Sequence, residues 1–338
     1  MFAIGEKVRR LDIKTLRIFW IVALGLAAWI VAQLPLDAAL QSISGLSVLQ
    51  WLLWIALNLL IIALLVGRWQ VLTGAIGSRI GFQQLLRIRQ AGQLISFVTP
   101  GPQFGGEPLQ IHWLWKRYEL AGTSAFLAVG LDRFYELWIN FAILFIAVLA
   151  LAVSASTNLA DWWGIALALS GLVSAFGLVA WILIRHPERV RGGIERLTRP
   201  WQKHPRLGQL SAHWSQLHAT LLEVVTEKRP SLGLALALSL IGWAGMIAEF
   251  WLLLSFVGVE QDLATFLLLF TVVRLAFLLP LPGGIGSVEA GMFWAFSALA
   301  LPLPAAASLI ALMRLRDVLV LLAGALMLPG LSASAKAR

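Results

Sequence analysis

Several ionisable side chains stand inside the apolar stretches of this sequence, at spacings that place them together on helix faces. Arg133, Glu136 and Asn140 follow the spacing i, i+3, i+7, so they line one stripe of a helix. Arg314 and Asp317 repeat the Arg-x-x-acid pattern near the end of the chain. A guanidinium group suits phosphate, because it keeps its charge when buried and donates two parallel hydrogen bonds. The pattern therefore predicts a polar site that binds an anionic group.

The cost of burying these charges indicates where they point. An ionisable group at the centre of a bilayer costs roughly 2.5–3.5 kcal/mol on insertion scales, and Asp132 and Glu249 also lie deep in apolar stretches. If all these groups faced lipid, the sum would be on the order of 20 kcal/mol, more than the net stability of a typical protein. We therefore expect them to face a shared interior. Arg316 lies about 200° around the helix from Arg314, so we predict that only Arg314 points into the site.

Two segments rich in proline and glycine precede the charged pairs and resemble each other. Their tip residues are Pro100, Pro102, Gly105 and Gly106 before Glu107, and Pro280, Pro282, Gly283, Gly284 and Gly286 before Glu289. Neither segment can continue as a helix, because proline lacks a backbone donor and glycine weakens a helix. Non-helical backbone at membrane depth must be buried in protein or line a watery cavity. We predict two re-entrant hairpins, and a pair of full crossings is the alternative.

The order of these motifs indicates an inverted internal repeat, at about 49–153 and 232–328. Arg133 follows Glu107 by 26 residues, and Arg314 follows Glu289 by 25. Three predicted spans separate the hairpins, so the hairpins open to opposite sides of the membrane. This arrangement is typical of transporters with a site near the midplane. The glycine-rich tips and the helix starts at both glutamates also offer backbone N–H groups to an anion.

A purely structural role fits the same residues. Two ion pairs would then neutralise the charges and hold the hairpins in place, namely Glu107 with Arg133 and Glu289 with Arg314. The two roles are compatible if a substrate phosphate competes for the arginines. We hypothesise that protonation of either glutamate releases its arginine to the lipid.

The elements that must position these residues are membrane-spanning helices. The chain is 59% hydrophobic and 13% charged, whereas soluble domains average roughly 25% charged residues. A span needs about 20 apolar residues. We predict spans near Leu16–Leu36, Leu49–Gly67, Thr123–Val153, Trp162–Ile184, Leu232–Val257 and Pro304–Leu328, with the hairpins in Leu85–Leu114 and Thr265–Leu301. The predicted fold is one all-α polytopic membrane domain of about six full spans plus two hairpins, or eight spans.

The distribution of positive charge predicts the orientation. The net charge is +9, and the lysines and arginines concentrate before the first span and in the long loop at 185–230. The connections near Asp37, Asp161 and Glu260 carry none. By the positive-inside rule both termini and the long loop are cytoplasmic, in the cytoplasmic (inner) membrane. Basic residues there favour anionic lipid over nucleic acid as a partner. Apolar residues at helical spacing predict an amphipathic helix in the loop: Leu207, Leu210, Trp214, Leu217 and Leu221.

Several kinds of chemistry have no support in the sequence. There is no cysteine, the five histidines lack metal-ligand spacing, and no phosphate-binding loop motif for ATP occurs. We therefore expect no metal, no cofactor and no catalytic residue, with transport coupled to an ion gradient or to consumption of the lipid.

Together, SFVTPGPQFGGEPLQ, LDRFYEL and PLPGGIGSVEAG resemble the membrane region of lysylphosphatidylglycerol synthetases, a flippase-like family. The resemblance covers nearly the whole chain. It implies transbilayer movement of a lipid, such as a phospholipid, an aminoacyl-phospholipid, an isoprenoid carrier or a hopanoid-type lipid. The soluble aminoacyl-transfer domain of the full synthetases is absent from this sequence, so we expect a stand-alone member that does not make the lipid itself.

The leading functional hypothesis is a lipid flippase that exposes a midplane site to either side in turn. One alternative is a membrane-embedded transferase that uses Glu107 or Glu289 as general base. Another is a membrane subunit that recruits a soluble or membrane-bound partner in lipid synthesis.

Overall fold

The computed structural model describes residues 37, 43–99, 105–154, 162–185, 208–259 and 262–328, and every regular element in them is helical. The helices in chain order are α1 Val48–Ala75, α2 Phe82–Val98, α3 Glu107–Arg117, α4 Gly122–Ser154, α5 Trp162–Arg185, α6 Gly208–Glu227, α7 Arg229–Phe256, α8 Leu263–Phe277, α9 Ser287–Ala298 and α10 Leu303–Met327. The predicted span at Leu16–Leu36 and the tip residues Pro100 and Pro102 lie outside the described residues. The all-α prediction is confirmed for the described part.

Four of the described helices are long and apolar enough to cross a membrane, namely α1, α4, α5 and α7. Helix α10 has 25 residues and is therefore about 38 Å long, but three charged residues near its middle make it less apolar. Helices α8 and α9 have 15 and 12 residues, fewer than a full span requires. A multi-pass membrane protein is therefore confirmed, whereas the number of full spans and the re-entrant hairpins remain predictions.

Helix α1 continues well beyond its predicted end at Gly67. The buried side chains of Trp69 and Leu72, 1% and 0% exposed, extend its packed face to Ala75. Arg68 therefore lies inside the helix and not at its end. This extension brings Arg68, which lies just beyond the predicted span, into the protein interior.

The described residues form two compact units. The first unit contains residues 55–89 and 108–248. In it α4 packs against α5, and α6 packs against both. A Cβ on Gly245 of α7 would lie 2.9 Å from the Ile61 side chain of α1, so these helices approach closely at glycine.

Helix α6 confirms the helix predicted in the long loop, over Gly208–Glu227. Val224 and Val225 near its C-terminal end are 1% and 5% exposed. Helix α6 packs against α4 and α5, so it belongs to the first unit, and its place at the membrane surface stays a prediction.

The second unit contains the described residues of 43–54, 90–107 and 249–328. In it α9 packs against both α8 and α10. A Cβ on Gly324 of α10 would lie 2.5 Å from the carbonyl oxygen of Gln90, so α10 and α2 are in close contact. The second unit thus combines residues 90–107, from the first predicted repeat, with helices of the second repeat.

Candidate functional site

The proline–glycine segment between α8 and α9 is a tight turn, which we call the second break. Gly283, Gly284 and Gly286 have φ angles of 57°, 62° and 87°, a left-handed region that favours glycine. Pro282 begins a single 3₁₀ turn and is buried, whereas Pro280 is exposed. The predicted interruption of the helix at this point is confirmed.

The first break, around Gly105 and Gly106, is equally tight in its described part. Gly106 donates its N–H to the Ser96 hydroxyl at 2.9 Å and packs against the carbonyl of Gly92. A Cβ on Gly105 would collide with Thr99. Both positions therefore require glycine because the backbone folds back on α2.

Each break ends with a glutamate that binds the backbone of its own tip. Glu107 Oε2 accepts the N–H of Gly105, and Glu289 Oε2 accepts the N–H of Gly286, both at 2.7 Å. An acid in the first turn also interacts favourably with the positive end of the helix. Both breaks therefore contain a hydrogen bond from a glycine N–H to a following glutamate, which lies two residues further on in the first break and three in the second. It also means that one N–H group in each tip, which we predicted for an anion, is occupied by the protein itself.

The end of α2 contacts the second break within the second unit. The ring of Phe97, at the end of α2, lies directly against Gly283, where no side chain larger than hydrogen fits. Phe97 is half-buried and Gly283 is buried. The C-terminal end of α2, just before the first break, therefore packs against the second break.

Arg314 binds the second break and the acidic residues next to it. Its guanidinium donates to Glu289 Oε1 at 2.6 Å and to Asp317 Oδ2 at 2.9 Å. It also donates to the carbonyl oxygens of Gly283 and Gly284, at 3.1 and 3.2 Å. A guanidinium has five N–H groups, and protein acceptors bind four of these. The predicted pairing of Glu289 with Arg314 is confirmed, and the geometry is that of a structural clamp.

Arg316 joins the same group of charges, contrary to the prediction from the helical wheel. It donates to Glu249 Oε2 at 2.9 Å and to Asp317 Oδ1 at 3.4 Å. Asp317 thus bridges Arg314 and Arg316, because long arginine side chains can reach one carboxylate from different helix faces. The Trp54 indole donates to the other oxygen of Glu249 at 3.1 Å. We call this group the Arg314 cluster: Glu249, Glu289, Arg314, Arg316 and Asp317.

A second group of charges lies in the first unit, and sequence reasoning missed two of its members. We call it the Arg133 cluster: Arg68, Arg89, Asp132, Arg133 and Glu136. Asp132 accepts from Arg68 Nε at 2.8 Å and, through its other oxygen, from Arg89 at 2.9 Å. Arg68 and Arg89 are 0% and 4% exposed. Both lie near ends of predicted apolar segments, so nothing in the local sequence distinguished them from surface arginines.

Glu136 has a looser set of contacts in the same cluster. Its Oε2 atom lies 3.1 Å from Arg133, 3.5 Å from Arg68 and 3.7 Å from Arg89. Its side chain is 27% exposed, compared with 6% for Asp132. Three guanidinium groups therefore lie within 3.7 Å of one carboxylate oxygen of a partly exposed side chain. Asn140 is half-buried one turn further along α4.

The predicted binding residues fall into two groups, one in each unit. The first unit holds Arg133, Glu136 and Asn140, and the second holds Glu107, Glu289, Arg314 and Asp317. The charged members are buried or half-buried. The predicted pairing of Glu107 with Arg133 stays a prediction.

Comparison with known proteins is consistent with the motifs. The family described as "Lysylphosphatidylglycerol synthase TM region" matches residues 18–324. A UPF0104 membrane protein of Methanothermobacter thermautotrophicus is 26% identical over 301 residues, which are 86% of this chain and 87% of the relative. No solved structure matches the chain. The family resemblance derived from the motifs is therefore confirmed.

Proposed function

We propose that this chain, which belongs to the lysylphosphatidylglycerol synthase TM region family, is a lipid flippase for an anionic or phosphate-bearing lipid. The observation that carries the proposal is the Arg133 cluster, where three guanidinium groups surround Glu136 Oε2. Asp132, Arg133 and Glu136 belong to α4, a helix long and apolar enough to span a membrane. Ionisable groups inside such helices mark substrate pathways by default. Guanidinium groups are suited to the phosphate of a lipid headgroup.

The Arg314 cluster has a different role in this proposal. Its arginines are bound to carboxylates and to the carbonyl groups of the second break. We assign it to holding the unwound segment in one conformation between transport steps. Protonation of Glu289 would weaken its attachment to Arg314, which gives a proton gradient a means of coupling to movement of the break.

We place the protein in the cytoplasmic membrane, with both termini on the cytoplasmic side. The support is the concentration of basic residues before the first predicted span and at 185–230. The candidate lipids are a phospholipid, an aminoacyl-phospholipid, an isoprenoid carrier and a hopanoid-type lipid.

Transport by purified protein in liposomes tests the proposal. Labelled lipids of each class are placed in one leaflet, and their redistribution is followed with and without an imposed ion gradient. We expect Arg133→Ala to slow transport at least about tenfold, because the loss of one charged hydrogen bond contributes roughly 1.4 kcal/mol or more. Arg79→Ala, at an exposed arginine between α1 and α2, is the matched control and should transport normally. If no lipid class redistributes faster than in empty vesicles, the flippase proposal is rejected.

A second candidate function is supported by the description of the family as a region of a synthase. The chain would then be a membrane subunit that recruits a soluble synthetase through the basic residues at 185–230. Co-purification of such an enzyme, together with no transport by the isolated chain, would favour this function over the flippase.

A further inference from the structure

The two carboxylates of the Arg133 cluster are held very differently. Asp132 binds one arginine with each oxygen, at 2.8 and 2.9 Å. Glu136 uses a single oxygen, and its contacts to the three arginines lie between 3.1 and 3.7 Å. The charge-assisted contacts of Asp132 are in the range of strong hydrogen bonds, whereas most of those of Glu136 are longer. Asp132 is therefore the fixed counter-ion of the cluster, and Glu136 is the weakly held one.

Accessibility distinguishes the same two residues. The Asp132 side chain is 6% exposed and the Glu136 side chain 27%. Arg133, three residues earlier on the same helix, is 16% exposed, whereas Arg68 is completely buried. The Glu136 side of the cluster is therefore the more accessible side, and a glutamate side chain has rotatable bonds with which to move.

On the basis of the proposed lipid transport, we infer that the Glu136 carboxylate and the phosphate of a lipid headgroup compete for the same guanidinium groups. Glu136 is then a displaceable internal counter-ion and not a ligand of the substrate. A phosphate group offers several oxygens in different directions, so it can accept from Arg133 and Arg89 together. When the phosphate leaves, Glu136 returns and keeps the arginines paired, which favours release of the lipid.

Equilibrium binding to the full-length protein in detergent tests this competition. The probes are short-chain phosphatidylglycerol and, separately, inorganic phosphate, so that a lipid headgroup is distinguished from free phosphate. Glu136→Gln removes the competing charge at nearly constant size. We expect it to bind the lipid probe roughly two- to fivefold more tightly, the range for a partly exposed ion pair. Glu223→Gln, an exposed glutamate of α6 in the same unit, is the matched control and should not change affinity.

Tighter binding of either probe by Glu136→Gln supports the inference. If only phosphatidylglycerol binds more tightly, the site requires the phosphate to be part of a lipid. If inorganic phosphate also binds more tightly, phosphate alone is sufficient for binding. Unchanged or weaker binding of both probes overturns the inference, because a substrate ligand or a purely structural residue gives that result.

Two further measurements keep the outcome interpretable. If Glu136→Gln does not fold, Glu136→Asp withdraws the carboxylate from Arg133 and should also tighten binding, so unchanged or weaker binding overturns the inference equally. Wild-type transport is measured on the same preparations. Lipid movement without tighter binding by the variant rejects only the competition, whereas tighter binding without lipid movement rejects only the flippase.

Discussion

Replacement of Arg314 by glutamine should strongly destabilise the second unit. The change removes the cation that binds Glu289, which is 3% exposed, at 2.6 Å. Breaking a buried ion pair by removing one partner costs about 3–5 kcal/mol, because the remaining charge is left without compensation. The carbonyl of Gly283 also loses a donor, whereas that of Gly284 keeps the Ser287 hydroxyl at 3.1 Å. We therefore expect a loss on the order of 4 kcal/mol in the free energy of unfolding.

Unfolding by SDS in mixed micelles, followed by tryptophan fluorescence, measures this loss. The double variant Arg314→Gln with Glu289→Gln removes the uncompensated charge and should recover about 2 kcal/mol, which is a coupling energy typical of contacting residues. Arg87→Gln, at an exposed arginine of α2, should change stability by less than about 0.5 kcal/mol. A loss below about 1 kcal/mol for the single variant, or a double variant as unstable as the single one, would refute the clamp.

Two further predictions concern the breaks. Gly283→Ala should lower the free energy of unfolding by more than about 2 kcal/mol, since its φ of 57° strains any side chain and Phe97 occupies the space. Thermal unfolding measures this loss. Gly171→Ala, where an added Cβ would meet nothing within 4 Å, is the control and should be harmless. Single cysteines at exposed Leu279 and Pro108, in a chain without native cysteine, should react with an impermeant maleimide from opposite sides of the membrane. Labelling of both from one side would contradict the inverted arrangement.

The sequence predicted the helices and their interruptions because both depend on local properties. Apolar length identifies a span, and proline with glycine identifies a break, wherever the rest of the chain lies. The pairing of Glu289 with Arg314 could also be predicted, since the repeat placed an acid at the end of each break and an arginine 25 or 26 residues after it. The geometry confirms this one pairing.

The remaining contacts depend on tertiary structure and could not be predicted in this way. Arg68 and Asp132 are 64 residues apart, and Trp54 and Glu249 are 195 apart. No local pattern links such pairs, because each is created by the packing of different helices. The helical wheel also failed for Arg316, since it describes directions of Cβ atoms and takes no account of the length of arginine.

The two predicted repeats have opposite charges at the same position. Arg133 and Arg314 are 181 residues apart, and so are Arg68 and Glu249. Arg68 on α1 binds Asp132 on α4, whereas Glu249 on α7 binds Arg316 on α10. Each pair joins the first helix of a predicted repeat to its last helix. The arginine is on the first helix in one repeat and on the last helix in the other.

This exchange explains why the repeats are proposed to differ in function. The Arg133 cluster contains three arginines and two acids, whereas the Arg314 cluster contains two arginines and three acids. Three guanidinium groups near one loosely held carboxylate favour an exchangeable anion. An excess of carboxylates binds the arginines firmly and holds the break. We therefore propose that two similar patterns of buried charge supply a headgroup site in the first unit and a clamp in the second.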